Sequence, residues 1–320
     1  MFNIGIDASF FNGKLNLEAD WFYKKTNDIL RERTDMPAIL GYKLPAANVG
    51  KVDNRGIDLN ITHRNHLRDF NYSIAGNLTW ARNKVIDLLE PAGEKNNPRQ
   101  RSTGHSMSQY FGYEALGLFQ SDEEANNWPQ PQFGKAKAGD IKYKDLNGDG
   151  KIDSNDQMED VGNPSVPEIV YGFGLNAEWK GAYVGIFFQG SGNTSTVLGA
   201  SSNGAFFPFQ WGVEESAVRS EVANRWTEQN PSQNVMFPRM HSTNYDNNTA
   251  ASTWWLRNAS FLRLKNIEVG YNFKEKTLKK IGIQALRVYL QGNNLCVWDD
   301  IKMWDPELGN TNGGFSYPLS

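Results

Sequence analysis

The stretch FNYSIAGNLTW, residues 70–80, alternates residue by residue. Phe70, Tyr72, Ile74, Leu78 and Trp80 fall on one side, and Asn71, Ser73, Ala75, Asn77 and Thr79 on the other. A period of two belongs to a β-strand, whose successive side chains point to opposite faces. Aromatic residues near both ends, with aliphatic ones between, match the interfacial girdles of a strand that crosses a membrane.

The same pattern recurs outward from this stretch. Residues 2–10 alternate weakly, Asn12-Gly13 supplies a hairpin turn, and residues 14–24 set Leu15, Leu17, Ala19, Trp21 and Tyr23 against Asn16, Glu18, Asp20 and Lys24. Residues 56–63 set Ile57, Leu59 and Ile61 against Asp58, Asn60 and Thr62, and further strands are expected at 169–179, 182–189, 255–271 and 286–293. Connections at 11–14, 64–69, 180–181 and 273–282 are short, whereas those at 26–49, 83–168, 190–254 and from 294 onward are long. Loops beyond ~15 residues are uncommon in compact domains. Their occurrence at every second connection fits an outer-membrane barrel, with short periplasmic turns and long extracellular loops. The expected fold is all-β, a transmembrane antiparallel β-barrel segment of about eight strands belonging to a larger barrel. One helix is expected near 214–228, where Val218, Val222 and Trp226 recur at helical spacing and would pack on their own loop.

Composition agrees. Only 39% of the 320 residues are hydrophobic, yet 10 Trp, 12 Tyr, 18 Phe and 30 Gly are present, a mixture that favours half-buried strands over helices. A net charge of −3, with Lys and Arg scattered along the chain, leaves no basic footprint for nucleic acid. No apolar run approaches the ~18 residues of a membrane helix, although an alternating lipid-facing strand is nearly invisible to hydropathy. The single Cys296 rules out an internal disulfide, no Cys/His spacing suggests zinc, and the thiol reads as a small packed apolar group. The start, MFNIGIDASFF, has no basic segment followed by an apolar one; it reads as mid-strand, so further chain is expected before Met1.

The most explicit chemistry lies at residues 145–156, DLNGDGKIDSND. Asp145, Asn147 and Asp149 occupy loop positions one, three and five, with Gly150 at six where the chain must turn. Lys151 offers its carbonyl at seven, and Asp153 and Asp156 fall at nine and twelve. This is Ca²⁺-loop spacing with Asp in place of the usual bidentate Glu at the end. Flexible multi-oxygen ligation suits Ca²⁺ better than Mg²⁺. Without flanking helices, and set inside the long connection 83–168, the loop is expected to act as a structural staple. Exposed aromatics in the long loops, Trp128, Trp211, Trp254 and Trp255, could stack on sugars or pack against a lid, with loop packing or an interface girdle the favoured reading of each.

Several stretches resemble one family, the SusC/RagA-like TonB-dependent outer-membrane transporters. They are NVGKVDNRGIDLNI (48–61), GYEALGLFQSDEEA (112–125), GDIKYKDLNGDGKIDSNDQ (139–157), YGFGLNAEWKGAYVGIFFQGSGN (171–193), RWTEQNP (225–231), ASFLRLKNIEVGYNF (259–273) and LRVYLQGNNL (286–295). The resemblance covers nearly the whole chain. It implies the C-terminal part of a plugged barrel lacking the N-terminal plug region, and lacking a final strand after a motif like Tyr317-Pro318. It further implies a SusD-like surface lipoprotein as lid and TonB acting through the absent N-terminal region. The implied cargo is a glycan fragment, oligosaccharide or peptide, and the location a Gram-negative outer membrane.

Enzymatic readings find little support. Gly172, Gly174 and Ala177 fit a dinucleotide-loop template, but a hairpin follows where a helix would be needed. His63, His66, His105 and His241 have no motif partner. The remaining alternative is a secreted Ca²⁺-binding β-rich adhesion or carbohydrate-binding module.

Overall fold

The computed structural model describes residues 1–33, 45–97, 99–199, 206–209, 218–242, 245–273, 279, 282–303 and 305–308. Trp211, the front of the expected 214–228 helix, most of the 273–282 connection and Tyr317-Pro318 lie outside the described residues.

Eight long strands form one antiparallel sheet in which every neighbour in space is a neighbour in sequence. They are β1 (Phe2–Phe10), β2 (Leu15–Arg31), β3 (Ala47–Leu67), β4 (Phe70–Asp87), β5 (Ile169–Trp179), β6 (Ala182–Gly192), β7 (Phe261–Asn272) and β8 (Arg287–Asp299). β1 and β8 each pair on one side only among the described residues, so the sheet is an open segment of barrel wall. The short connections gather at one end. Trp179 pairs with Ala182 across Lys180 and Gly181, which have φ of 51° and 98°, the two positive values that a type I′ turn requires.

Register carries the alternation across the sheet. Trp21 pairs with Ile57, Ile57 with Trp80 and Trp80 with Ile169, while Ile74 lies between His63 and Leu175. These rows form one apolar face that the chain leaves uncovered: Ile74 is 50% exposed, Ile6 62% and Phe173 44%. An apolar face this extended is a lipid-facing surface, not a soluble exterior. Asn71, Ser73, Asn77 and Thr79 share the opposite, polar face with Asn60, Asn176 and Glu268.

Several strands run beyond their sequence expectation. β2 continues to Arg31 and β3 begins at Ala47, both within the expected polar connection 26–49, and β4 continues to Asp87. Backbone pairing does not stop where the apolar stripe ends, and the hydrophobic pattern marks only the part in lipid. The strand expected over 255–271 breaks: Leu256–Asn258 pairs with Ser195–Val197, and β7 starts at Phe261. At 214–228 the described part holds a short 3₁₀ turn, Ser220–Ala223, although Val222 and Trp226 are buried as the helical spacing implied.

Most of the buried core is not in the sheet, where β3 and β4 contribute only Val52 and Val85 to a small cluster with Leu88. It lies in the described residues of the two long connections, 88–168 and 193–260, which fold together above the strand ends into a cap. Tyr113, Leu118, Ile141, Tyr143, Ile152, Val197, Leu198, Phe206, Phe207, Val222, Trp226, Phe237 and Trp255 form its one large cluster. Backbone bonds tie the connections together, Tyr113 N–H to Ala251 O at 2.9 Å and Arg239 N–H to Gly139 O at 2.7 Å, while Leu198 N–H to Trp255 O at 2.9 Å closes the second on itself.

Candidate functional site

Two regions present chemistry to the barrel interior and to the outside. The first is the polar sheet face. A cavity of about 830 Å³ lies near its short-turn end, lined by Arg64, Asn71, Ser73, Asn176, Glu178 and Glu268 among others. Arg287, Tyr183 and Glu268 interlock there: Arg287 Nε donates to the Tyr183 hydroxyl at 2.5 Å, that hydroxyl donates to Glu268 Oε1 at 2.8 Å, and the guanidinium also pairs with Glu268. This face offers hydrogen-bond donors, acceptors and both signs of charge.

The second region is the cap. Trp255, expected to be exposed, is wholly buried, with Phe206, Phe207 and Phe237 packed on it and its indole N–H given to Asn248 O at 2.8 Å. A hydrophobic core needs large side chains, and the aromatics of a long loop satisfy that need before any ligand. Trp128 is half-buried against Phe119, Ala125 and Ala136, donates to Tyr143 O at 2.8 Å and carries the Lys142 ammonium 3.8 Å above its ring. Trp254 is half-buried and donates to Met236 O at 3.0 Å.

Trp254 nevertheless borders an open groove of about 420 Å³, with Leu116, Gln233, Val235, Thr253 and Arg257. Arg257 has no carboxylate partner among the described residues; its guanidinium donates to Trp254 O at 2.9 Å and Leu256 O at 2.7 Å. Burial holds its pKa below the usual guanidinium value. Sequence reasoning found Trp254 and missed Arg257, three residues on, and Gln233, which is brought to the groove by its bonds to Leu118 N–H at 2.8 Å and Leu118 O at 2.6 Å.

The 145–156 loop closes on backbone amides. Asp145 accepts from Gly148 N–H at 2.7 Å and Gly150 N–H at 2.9 Å; these bonds, that from Gly150 first, hold its pKa below the usual carboxylate value. Asn147 accepts from Asp149 N–H at 2.9 Å and Asp149 from Lys151 N–H at 2.9 Å. Asp153 caps a 3₁₀ turn, Ser154–Asp156, by accepting from Asn155 N–H at 2.8 Å. Asp156 is fully buried and accepts from Leu146 N–H at 2.8 Å, Asn147 N–H at 3.3 Å and Asp153 N–H at 2.9 Å. Gly148 and Gly150 take φ of +75° and +83°, as the sharp turn requires. Among the described residues no three His, Cys, Asp or Glu groups are arranged to hold a metal ion.

Comparison with known proteins places this architecture. A family described as "TonB dependent receptor-like, beta-barrel" matches residues 2–295. TonB-dependent receptor P26 of Formosa agariphila is 30% identical over 340 residues, spanning 99% of this chain and 33% of the relative. TonB-dependent receptor SusC of Bacteroides thetaiotaomicron is 24% identical, spanning 99% of this chain and 30% of the relative. The solved RagAB peptide transporter superposes with a TM-score of 0.70 at 25% identity, covering 96% of this chain and 32% of the matched one. The chain therefore spans about a third of the length of the curated relatives it matches. These relatives are named as receptors and a transporter, not as enzymes.

Proposed function

Because the chain belongs to the TonB dependent receptor-like β-barrel family, we propose that it supplies the C-terminal barrel wall and outer cap of an importer in a Gram-negative outer membrane. The cargo is an oligosaccharide, glycan fragment or peptide, captured together with a SusD-like surface lipoprotein and driven by TonB through a region outside this chain. The observation that carries this reading is the two-faced sheet, apolar and uncovered on one side, polar on the other, with its long connections folded into one cap at one end. An exposed apolar face of this extent would aggregate in a secreted adhesion or carbohydrate-binding module. Growth of a deletion strain on peptide or oligosaccharide as limiting nutrient tests the reading. Loss of growth on one class supports it, and wild-type growth on both defeats it.

Within the cap, Trp254 and Arg257 are the residues proposed to meet cargo or lid. Trp128, with its ring face under Lys142, is proposed there with less surface to offer, and Trp211 is proposed from its place in the sequence alone. The loop of Asp145, Asn147, Asp149, Lys151, Asp153 and Asp156 is proposed to take Ca²⁺ as a staple, supported by its spacing and its positive-φ glycines. Its carboxylates are already turned inward on backbone amides, so a bound cation would stiffen a turn that is formed without it. Chelation is then expected to speed proteolysis between Lys142 and Lys151 while the strands stay protected. Equal cleavage with and without chelator removes the metal.

A further inference from the structure

The apolar face ends abruptly on β2, β3 and β4. From Phe70 to Trp80 it runs for eleven residues of β4, about the 9–11 that a tilted strand needs to cross the hydrocarbon layer. The next row above Trp21, Ile57 and Trp80 on the same face is Tyr23, Arg55 and Arg82, and the row above that is Lys25, Asp53 and Lys84. Each row lies two residues, about 7 Å, farther along the strands. Four cations thus stand just beyond the aromatic boundary, at head-group depth on the side of the cap.

Three of them line a cavity of about 410 Å³, walled by Tyr23, Asp53, Arg55, Arg82, Lys84, Asp160 and the turn at Gly104–Ser106. That turn is fixed to β4 by Val85 N–H to His105 O at 2.8 Å and Gly104 N–H to Val85 O at 2.9 Å. The acids nearby each have a hydrogen-bond partner, that of Asp53 being a neutral hydroxyl. Arg82 holds the buried Glu168 through bonds of 2.6 and 2.9 Å, Tyr23 donates to Asp53, and Asp160 faces His105 at 3.1 Å. Arg55 and Lys84 are exposed and have no anionic partner among the described residues. A concave wall with three cations, Arg55, Arg82 and Lys84, against Asp53 and Asp160, two of those cations in no ion pair among the described residues, lies directly above a lipid-facing surface and suits a phosphate carried by an amphiphile whose acyl chains lie along the rows below.

We propose that this cavity binds the phosphorylated head group of an outer-leaflet glycolipid, with Arg55 and Lys84 on the phosphate and the Trp21, Ile57 and Trp80 row against its acyl chains. The proposal rests on the barrel spanning the outer membrane with the cap outside. It is independent of what the importer carries.

The test uses the full-length protein in nanodiscs of zwitterionic lipid, with diphosphorylated lipid A titrated in and bound lipid counted by native mass spectrometry. Arg55→Gln with Lys84→Gln should weaken lipid A binding about thirtyfold, each surface cation near an anionic lipid being worth about a fivefold change. Charge-keeping Arg55→Lys with Lys84→Arg should bind within about threefold of wild type, as should Lys180→Gln at the opposite end of the strands. Heat-modifiable gel mobility reports barrel integrity in every variant, and failure to fold in the membrane would defeat the underlying reading separately. Should the Gln pair misassemble, wild-type preference for diphosphorylated over dephosphorylated lipid A decides alone. Equal binding of the two lipids, or unaltered binding by a folded Gln pair, overturns the proposal. Displacement of lipid A by low-millimolar inorganic phosphate shows a free-anion site and overturns the lipid assignment.

Discussion

Trp255 has no exposed surface, and three phenylalanine rings sit 5.1 to 5.6 Å from it, centroid to centroid. Trp255→Ala should cost the cap about 3–5 kcal/mol, read as early loss of near-ultraviolet signal on denaturation while the strands stay folded. Trp255→Phe keeps most of the bulk but leaves the buried Asn248 carbonyl without its donor, at about 1–3 kcal/mol. Gly139 is a second fixed point. Its φ is +83°, and an added Cβ would lie 2.2 Å from the Trp226 ring, which is itself buried. Gly139→Ala is therefore expected to destabilise the cap by about 1–3 kcal/mol through overpacking, with left-handed strain adding to it. A cap that melts as in the parent under the same assay would count against this packing. The sequence placed Trp254 and Trp255 side by side in a loop with no sign of which was interior. That difference comes from Phe206, Phe207 and Phe237, all distant in sequence.

At the scale of the element, the strands were legible where lipid or lumen imposed alternation and illegible beyond it. Ile74 sits between His63 and Leu175 in register and near the middle of the apolar span that Phe70 and Trp80 bound. Arg at this position should destabilise the barrel by about 2–4 kcal/mol, the cost of a cation near the bilayer midplane. Thr79→Arg, on the polar face of the same strand, should be far milder; similar barrel yields for both variants in outer-membrane fractions would contradict the facing. The extensions of β2, β3 and β4 past the apolar stripe escaped notice because side-chain pattern reports environment, while strand pairing depends on backbone bonds that continue into water. The short pairings inside the cap, such as Ala115–Leu118 with Ile141–Tyr143, were missed for the related reason that so few residues show no period.

At the scale of the molecule, the wall and the cap are stabilised differently, and pH should separate them. Tyr110, Tyr113, Tyr143 and Tyr245 all lie in the cap, and burial raises the pKa of each above its ordinary value, with the Asp140 charge adding to the rise at Tyr245. Tyr143 is the extreme case, fully buried with its hydroxyl donating to Asn247 O at 2.6 Å. A folded pKa above the unfolded value of about 10 contributes stability that is whole below pH ~10 and is lost as pH rises through the folded values. Alkaline titration should therefore open the cap first, seen as tyrosinate absorbance rising together with protease sensitivity in residues 88–168, with the strands retained. Simultaneous loss of strand and cap signals would mean that the two are one cooperative unit.

The sequence by itself determined the all-β barrel segment, the two faces of its strands and the alternation of short and long connections, because each is written as local periodicity or spacing. It also placed the turns of the 145–156 loop, whose turn chemistry spans a dozen consecutive positions. Only the tertiary structure decided that the long loops are one packed cap with the molecule's hydrophobic core inside it. The same holds for the burial of Trp255, the meeting of Gln233 with Trp254 and Arg257, and the stacking of Arg55, Arg82 and Lys84 in successive rows above the lipid boundary. These depend on contacts between residues tens to more than a hundred positions apart, and the free energy of such contacts leaves no period in the chain that makes them.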